Sequence, residues 1–357
     1  MFSRHAAVVQ AVESQSAQYE VLAVKWGATT GQAINYLPLT GAAAPGDQVL
    51  INTMAVELQL GSGGYHFVLA NLASPEHTSQ GAGHIMKLRY TPQQVRVLAV
   101  EEEASPQHAL MAEAESLVGM PVIAGELHSM LAPFCIALKA KKPALRLAYL
   151  MTDGGALPAF FSNTLRILKE RELLCGVITA GQAFGGDWEA INIYSGLLAA
   201  KHVLAADVTV VCMGPGVAGT ATRYGFSGME VADNLNRAAS LKGQPIALPR
   251  LSFADRRPRH QGFSHHTLTA LTKATLVPVD LPLPMLAAAE NKLLEQQIAS
   301  SGLASKHRIF RYEGLSLASL ADDQPLCRTM GRTLTDDPAF FLAAVATAQH
   351  VSLLIEP

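Results

Sequence analysis

The chain has 357 residues, of which 49% are apolar and only 16% charged, and its formal net charge is −2. This length suits two domains, and so apolar a composition excludes an intrinsically disordered chain. A nearly neutral chain gives no electrostatic reason to expect a nucleic acid as partner, while its sparse charge favours self-association, so we expect a homo-oligomer, most simply a dimer.

The first hundred residues predict an all-β domain. Short β-type runs, from AVVQAV (6–11) to HIMKLRY (84–90), alternate with Gly, Pro and Asn punctuation, as in a small barrel or sandwich. We place this domain at 1–104, because an acidic run at 101–103 is followed by Ser105-Pro106. That pair predicts a helix extending to about Leu117.

The remainder, 105–357, predicts an α/β domain in which apolar runs alternate with helical patterns. Continuous apolar strands are what a sheet covered on both faces requires, so we expect a largely parallel, helix-covered, Rossmann-like (doubly wound) sheet. A last helix is predicted to start at Pro338, and VSLLIE near the end reads as a closing strand. The runs are PVIAG (121–125), LRLAYLM (145–151), LLCGVITA (173–180), VTVVCM (208–213), QPIALPRL (244–251), TLVPVDL (275–281) and RIFRY (308–312).

Polar residues follow most of these predicted strands. In an open parallel sheet, ligands bind beyond the carboxyl ends of the strands, so we expect these turns to surround one pocket. The candidates are His128, Asp153, the loop 214–228, Arg256, Arg257, Arg259, His265 and His266.

The loop 214–228 contains G-x-G-x-x-G, formed by Gly214, Gly216 and Gly219. A dinucleotide site requires the helix to open within the glycines, whereas Ser227-x-x-Glu230 predicts a capping box that starts the helix near Gly228. The loop also lacks the lysine of a P-loop. Two readings stay open: a purely structural turn, or an anion cradle. The cradle would combine the three glycines with Thr220, Thr222 and Arg223.

Each remaining candidate has a functional and a structural interpretation. His128 suits a general acid/base, a ligand or a hydrogen-bonded core histidine. Asp153 suits an orienting carboxylate or a turn former. The arginines suit a clamp for phosphate or carboxylate, or a solvated basic loop; they are Arg256, Arg257 and Arg259.

His265 and His266 follow Ser264, a predicted N-cap, so both lie at a helix start. Adjacent helical residues diverge by about 100°, so we expect one of the pair to face a given ligand. Metal-binding spacings such as HExxH or CxxC are missing from the sequence. A metal site from His128, Asp153 and one of the pair rests on no pattern, and the cofactor therefore stays open.

The four cysteines are far apart and mostly inside apolar runs, as reduced thiols in a cytoplasmic protein are. No apolar stretch reaches the roughly 20 residues that cross a bilayer, and the first residues do not resemble a secretory signal. We therefore expect a cytoplasmic location and no membrane partner. The cysteines are Cys135, Cys175, Cys212 and Cys327.

Several segments together resemble a bacterial family known as a domain of unknown function. The resemblance covers essentially the whole chain and implies a two-part bacterial cytoplasmic protein, but it implies no activity and no catalytic residues. The segments are NTMAVELQLGSGGYHFV, GHIMKLRYTP, GELHS, GPGVAGTATRYGFSG, GFSHHTLTAL and TMGR.

Function is therefore argued from the predicted site. We expect an enzyme acting on a small anionic metabolite, with the loop 214–228 holding the anion and His128, His265 or His266 moving a proton, helped by Asp153. The alternatives are a non-catalytic binding or regulatory protein whose β domain recruits a partner, and a self-associating scaffold.

Overall fold

The computed structural model describes residues 2–78 and 81–355. The chain divides into two compact units, Met1–Leu98 and Ala99–Pro357. This division lies a few residues before the boundary that the acidic run suggests.

The first unit contains a closed five-stranded barrel in the order β1-β2-β3-β5-β4. Its neighbouring strands are antiparallel except β3 and β5. Alternate residues such as Leu22 and Val24 point into the barrel core, because side chains alternate across a strand. The elements are β1 (Arg4–Gln15), β2 (Tyr19–Trp26), β3 (Thr29–Tyr36), α1 (Leu37–Thr40), β4 (Gln48–Asn52), α2 (Met54–Glu57), β5 (Tyr65–Asn71) and the antiparallel pair β6 (Ile85–Lys87) and β7 (Val95–Val97).

The second unit is built on ten strands and nine α-helices among its described residues. The strands are β8 (Pro121–Gly125), β9 (Leu147–Thr152), β10 (Gly176–Ala180), β11 (Trp188–Ala190), β12 (Val208–Met213), β13 (Gln244–Leu248), β14 (Leu251–Ser252), β15 (Gly262–Phe263), β16 (Asp280–Pro284) and β17 (Arg308–Tyr312). The helices are α3 (His108–Glu113), α4 (Leu131–Lys141), α5 (Asn163–Glu170), α6 (Ile193–His202), α7 (Glu230–Ser240), α8 (His265–Thr269), α9 (Ala288–Ser301), α10 (Leu303–Lys306) and α11 (Pro338–Leu354).

Eight of these strands form one parallel sheet in the order β11-β10-β9-β12-β8-β13-β16-β17. From β8 the chain proceeds through β9 and β10 to β11 at one edge. It then returns to β12 and proceeds through β13 and β16 to β17 at the other edge. The connections that leave β8 and β13 therefore diverge, and a crevice forms at such a point beyond the carboxyl ends of the strands.

Helices cover both faces of this sheet, as the continuous apolar runs predict. On β8, Ile123 packs into the apolar cluster that includes residues of α4 and α11. Its neighbours Val122 and Ala124 point the other way, into clusters with residues of α6 and α7. The α/β prediction and the barrel alternative for the first unit are both confirmed.

Four local predictions are wrong. The first predicted helix of the second unit is shorter at both ends: α3 begins only at His108 and ends at Glu113, where Ala114 is extended, well before Leu117. The strand expected within 275–281 begins at Asp280. In the segment VSLLIE (351–356), residues 351–354 continue α11 instead of forming a strand. Its last residue, Glu356, lies outside the described residues.

The fourth error concerns Asp187, which the sequence predicts as an N-cap because it precedes the helical pattern 188–204. Its carboxylate instead accepts from the amide of Val177 (2.8 Å), and the chain continues into β11. Asn192 caps α6 in a capping box with Ser195.

The four cysteines are free thiols, three of them buried and Cys175 partly so. Of the helices in residues 2–78 and 81–355, none combines the length and apolarity that a bilayer crossing demands.

Candidate functional site at the carboxyl edge of the sheet

The divergence of β8 and β13 brings buried polar groups together. Glu126 comes directly after β8, and Arg250 lies two residues after β13. The chain then forms the hairpin of β14 and β15, whose connection contains His260, and enters α8. Glu126 and Arg250 are 1% and 4% exposed. Water therefore does not stabilise the charged form of either side chain, and each needs partners inside the protein.

Three imidazoles form a cluster beside these groups, which we call the histidine cluster: His260, His265 and His266. One ring nitrogen of each lies within 4.8 Å of one from each of the others. The ring centroids of His265 and His266 are 3.9 Å apart, and both lie within 5.4 Å of His260. These three side chains could hold a metal ion.

The start of α8 explains why both histidines of the pair join the cluster. Ser264 caps the helix as predicted, with its hydroxyl accepting from the His266 amide. Both histidines lie in the first turn, where no preceding helical turn restricts their rotamers. The expectation that only one of the pair would face the site is therefore wrong.

The loop 214–228 covers part of the cluster. Phe226 stacks on His266 with ring centroids 3.8 Å apart and an interplanar angle of 9°. A Cβ at Gly219 would lie 3.6 Å from Cε1 of His266. The stacked phenyl ring fixes the plane of the His266 imidazole.

The histidine cluster is held in its neutral form. Burial, followed by the charges of Arg250 and Arg257, lowers the pKa of His260 to about 3. Burial, His265 and Arg250 lower the pKa of His266 to about 4. The pKa of His265 is also lowered, by burial and by the charge of Arg259. Neutral imidazoles are the form that accepts hydrogen bonds or binds a metal.

The pKa of Glu126 is shifted in the opposite direction, upward. Burial raises the pKa of its carboxyl to about 7, against the charge of Arg250 and a hydrogen bond from the Thr267 hydroxyl. Oε1 accepts that bond, whereas Oε2 is buried with no hydrogen-bond partner among the residues that the structure describes. A carboxyl of this kind can take up or release a proton near neutral pH.

An open cavity of about 530 Å³ lies beside Arg250. Arg250 contacts two of its lining residues, with Nη2 3.5 Å from Oδ2 of Asp255 and 3.3 Å from Sδ of Met330. The lining residues are Ala254, Asp255, Arg256, Arg257, Met330, Arg332 and Asp336.

Two of the predicted clamp arginines, Arg256 and Arg257, line this cavity, and only one of them is bound to a carboxylate. Arg257 forms a bidentate pair with Asp255 (2.9 and 2.7 Å), which holds the pKa of that carboxyl well below its usual range. Arg256 is exposed and lines the same cavity. Arg256 is therefore the better placed of the two to meet an anion from solvent.

His128 does not join the histidine cluster. Its Nδ1 is 3.2 Å from the Tyr149 hydroxyl, which donates to the carbonyl of Cys212, and its Nε2 is 2.6 Å from Oγ of Ser162. Burial lowers the pKa of this imidazole to about 4. These contacts fit the core-histidine interpretation.

Asp153 lies at a second position on the edge, after β9. Its carboxylate is exposed and accepts from the Gln182 amide (2.9 Å). It lines a separate cavity of about 190 Å³ with Tyr194 and Arg237, whose guanidinium lies 5.9 Å from the tyrosine ring centroid.

The loop 214–228 is bonded largely to itself. The Thr220 hydroxyl lies 2.9 Å from that of Thr222 and donates to the carbonyl of Gly225, whose amide donates to Thr222. Gly214 packs against the carbonyl of Ala156, and Gly216 has φ +105°. Arg223 is exposed. These bonds occupy donors that the anion cradle would use and favour the structural turn.

The predicted capping box does not form. A 3₁₀ turn, Ser227–Met229, precedes α7, and the Ser227 hydroxyl accepts from the Ala218 amide. Glu230 instead accepts from the Thr152 hydroxyl at 2.5 Å. Burial, with a contribution from the charge of Asp153, raises the pKa of Glu230 to about 7.

Comparison with known proteins adds a family but no activity. A protein-family model described as "Protein of unknown function (DUF3866)" matches residues 32–348. The chain belongs to this family. No curated protein and no solved structure matches it.

The match extends over the entire candidate site of this DUF3866 chain. Of the predicted site residues, the histidine pair and the clamp arginines Arg256 and Arg257 lie near Arg250. His128 lies in the core beside Tyr149, and Asp153 lines a separate cavity. Three central residues, Glu126, Arg250 and His260, were not among the predicted site residues. One usable signal was a charged residue close to the end of an apolar strand: Glu126 directly follows β8, and Arg250 comes two residues after β13.

Glu230 allows a stability test of the DUF3866 chain at two pH values. Because the native pKa of Glu230, about 7, exceeds the ordinary glutamate value of 4.5, the native state holds the proton more tightly. The associated stabilisation is present at low pH and lost as the pH rises through 7. We expect Glu230→Gln to raise the free energy of unfolding, relative to the natural chain, by about 2–3 kcal/mol more at pH 8 than at pH 5. Urea denaturation at both values measures this.

Glu103→Gln is the matched control, since Glu103 is exposed in the same unit, and its effect should be equal at the two pH values. An equal effect of Glu230→Gln at both would contradict the raised pKa.

Proposed function

We propose that this chain is an enzyme that binds a small anionic metabolite, bearing phosphate or carboxylate, beyond the carboxyl ends of β8 and β13. The observation that carries the proposal is the arginine-lined cavity of about 530 Å³, two of whose lining residues, Asp255 and Met330, contact the buried Arg250. The charge of Arg250 in turn acts on the buried Glu126. Arginine forks suit planar oxyanions, and ligands of open parallel sheets bind where connections diverge.

The residues take distinct roles in this proposal. Arg256 meets the anion from solvent, and Arg250, anchored by Asp255 and Met330, supplies the buried positive charge. Glu126, with one unpartnered oxygen, transfers the proton. The reaction class follows from the substrate, and group transfer or hydrolysis is our working assumption.

Arg256→Ala tests the binding step. We expect titration calorimetry with phosphate monoesters and dicarboxylates to give at least one ligand of the natural chain, and this variant to weaken its binding about 10-fold or more. Arg166→Ala is the control, because Arg166 is an exposed arginine on α5 paired with Glu170, and it should bind normally. Failure of every anion to bind would contradict the proposal.

Glu126→Gln tests the chemical step, since glutamine keeps an oxygen for the Thr267 hydroxyl. Turnover of the bound ligand should fall about 100-fold or more while affinity is retained. Binding without turnover in the natural chain would support the non-catalytic alternative.

Three further proposals accompany this one. The diverging connections favour a Rossmann-like, doubly wound sheet. The free thiols favour the cytoplasm, and a bacterial origin is proposed on the family resemblance alone. The sparse surface charge favours a homodimer, which light scattering coupled to size-exclusion chromatography measures directly.

A further inference from the structure

We propose that His260, His265 and His266 bind a divalent transition-metal ion of the zinc class. Their candidate ligand atoms lie within 4.8 Å of one another. Zinc–imidazole bonds of about 2.0–2.1 Å place the nitrogens of a tetrahedral site about 3.3 Å apart. Small ring rotations therefore convert the cluster into three ligands of one ion.

The nitrogens themselves point to a missing partner. Nε2 of His265 and both ring nitrogens of His266 are buried without a hydrogen-bond partner among the described residues. Each such group destabilises the folded chain for as long as it is left unsatisfied. Three unsatisfied nitrogens in adjacent rings are costly, and a metal ion would accept a lone pair from each ring.

The surroundings orient the rings as metal sites require. Nδ1 of His260 lies 2.9 Å from Oγ of Ser264, which leaves its Nε2 for the ion. A hydrogen bond on the non-ligating nitrogen is the usual outer support of a histidine ligand. Phe226 holds the plane of His266 from the other side.

The donor set selects the class of ion. Three imidazoles without a carboxylate suit zinc, copper, nickel or iron rather than magnesium or calcium. Three protein ligands also leave a fourth position open, as catalytic zinc sites do.

The metal site does not depend on the anionic-metabolite proposal, because it is tested with the metal alone.

The experiment titrates the full-length chain, freed of metal by a chelator, with Co(II) and then Zn(II). We expect one ion per chain, the visible absorption of tetrahedral Co(II), and displacement of Co(II) by Zn(II). His260→Ala and His265→Gln should each weaken Zn(II) binding at least about 100-fold, the upper end of what loss of an outer-sphere partner costs.

His202→Ala is the matched control, because His202 donates to the Ser116 carbonyl on another helix, α6, and it should bind normally. Circular dichroism verifies that each variant folds. Because His265 is the least buried of the three histidines, His265→Gln is expected to fold and so keeps the test decisive even if His260→Ala misfolds. Less than one ion per natural chain, or unchanged affinity in folded His265→Gln, overturns the proposal.

Discussion

Replacing Asp280 by alanine is expected to lower the free energy of unfolding by about 3 kcal/mol or more. Asp280 is 1% exposed at the start of β16. Its carboxylate accepts from Nε2 of His350 (3.0 Å), Nε of Arg308 (2.6 Å) and Nε2 of Gln244 (2.8 Å). Burial opposes the ionised form, but these three bonds hold the pKa of Asp280 below its ordinary value.

The variant loses stability because the former partners of Asp280 remain buried without their carboxylate. His350, 2% exposed, keeps its bond to the Tyr312 hydroxyl but loses its carboxylate. Breaking one side of a buried network leaves desolvated groups uncompensated. Asp280→Asn keeps an oxygen and should cost less than Asp280→Ala.

Urea denaturation at pH 7 measures both variants. Asp322→Ala is the control, because Asp322 is exposed and its removal should change stability by less than about 0.5 kcal/mol. A loss below about 1 kcal/mol in Asp280→Ala would show that the network contributes little.

Gly155→Ala is expected to destabilise the second unit by about 3 kcal/mol. A Cβ at this position would lie 2.3 Å from the carbonyl oxygen of Gly214 and 2.9 Å from that of Pro215. Both contacts are to backbone, so no side-chain rotation relieves them. The variant must separate the turn after β9 from the loop after β12.

Gly219→Ala is the control within the same loop region. Its Cβ would meet Phe226 at 3.5 Å and His266 at 3.6 Å, which are ordinary contacts, so its thermal midpoint should stay within a few degrees of the natural chain. Equal midpoints for the two variants would refute the close approach of the two loops.

The strands were predictable because a strand that is buried on both faces has a purely local sequence signature. The runs at 121–125 and 208–213 coincide with β8 and β12. A strand buried on both faces needs apolar residues at every position, so a window of a few residues contains the whole signal.

Helix starts were less predictable, because their partners lie far away in the chain. The Ser227-x-x-Glu230 pattern satisfies the sequence rule for a capping box, yet Glu230 bonds to Thr152. Asp187 likewise bonds to the strand before it. A local rule cannot anticipate a competing partner that only the folded chain supplies.

The candidate site was predictable in position but not in membership. His265 and His266 follow an apolar strand and reach the expected edge. His128 also follows one, but it joins Tyr149 of the cluster packed against α4, whereas α8 contacts the turn before α7. The sequence does not specify which face of the sheet each connection takes, so it could not separate these histidines.

The strand order has a consequence for synthesis of the chain. Central strand β8 pairs with β12 and β13, which begin only at Val208 and Gln244. Until both have left the ribosome, the wholly apolar segment 121–125 has no lateral neighbour to pair with. Nascent chains that stop before Val208 should therefore bind chaperones or aggregate, since unpaired apolar strands of partly folded chains pair readily with other chains.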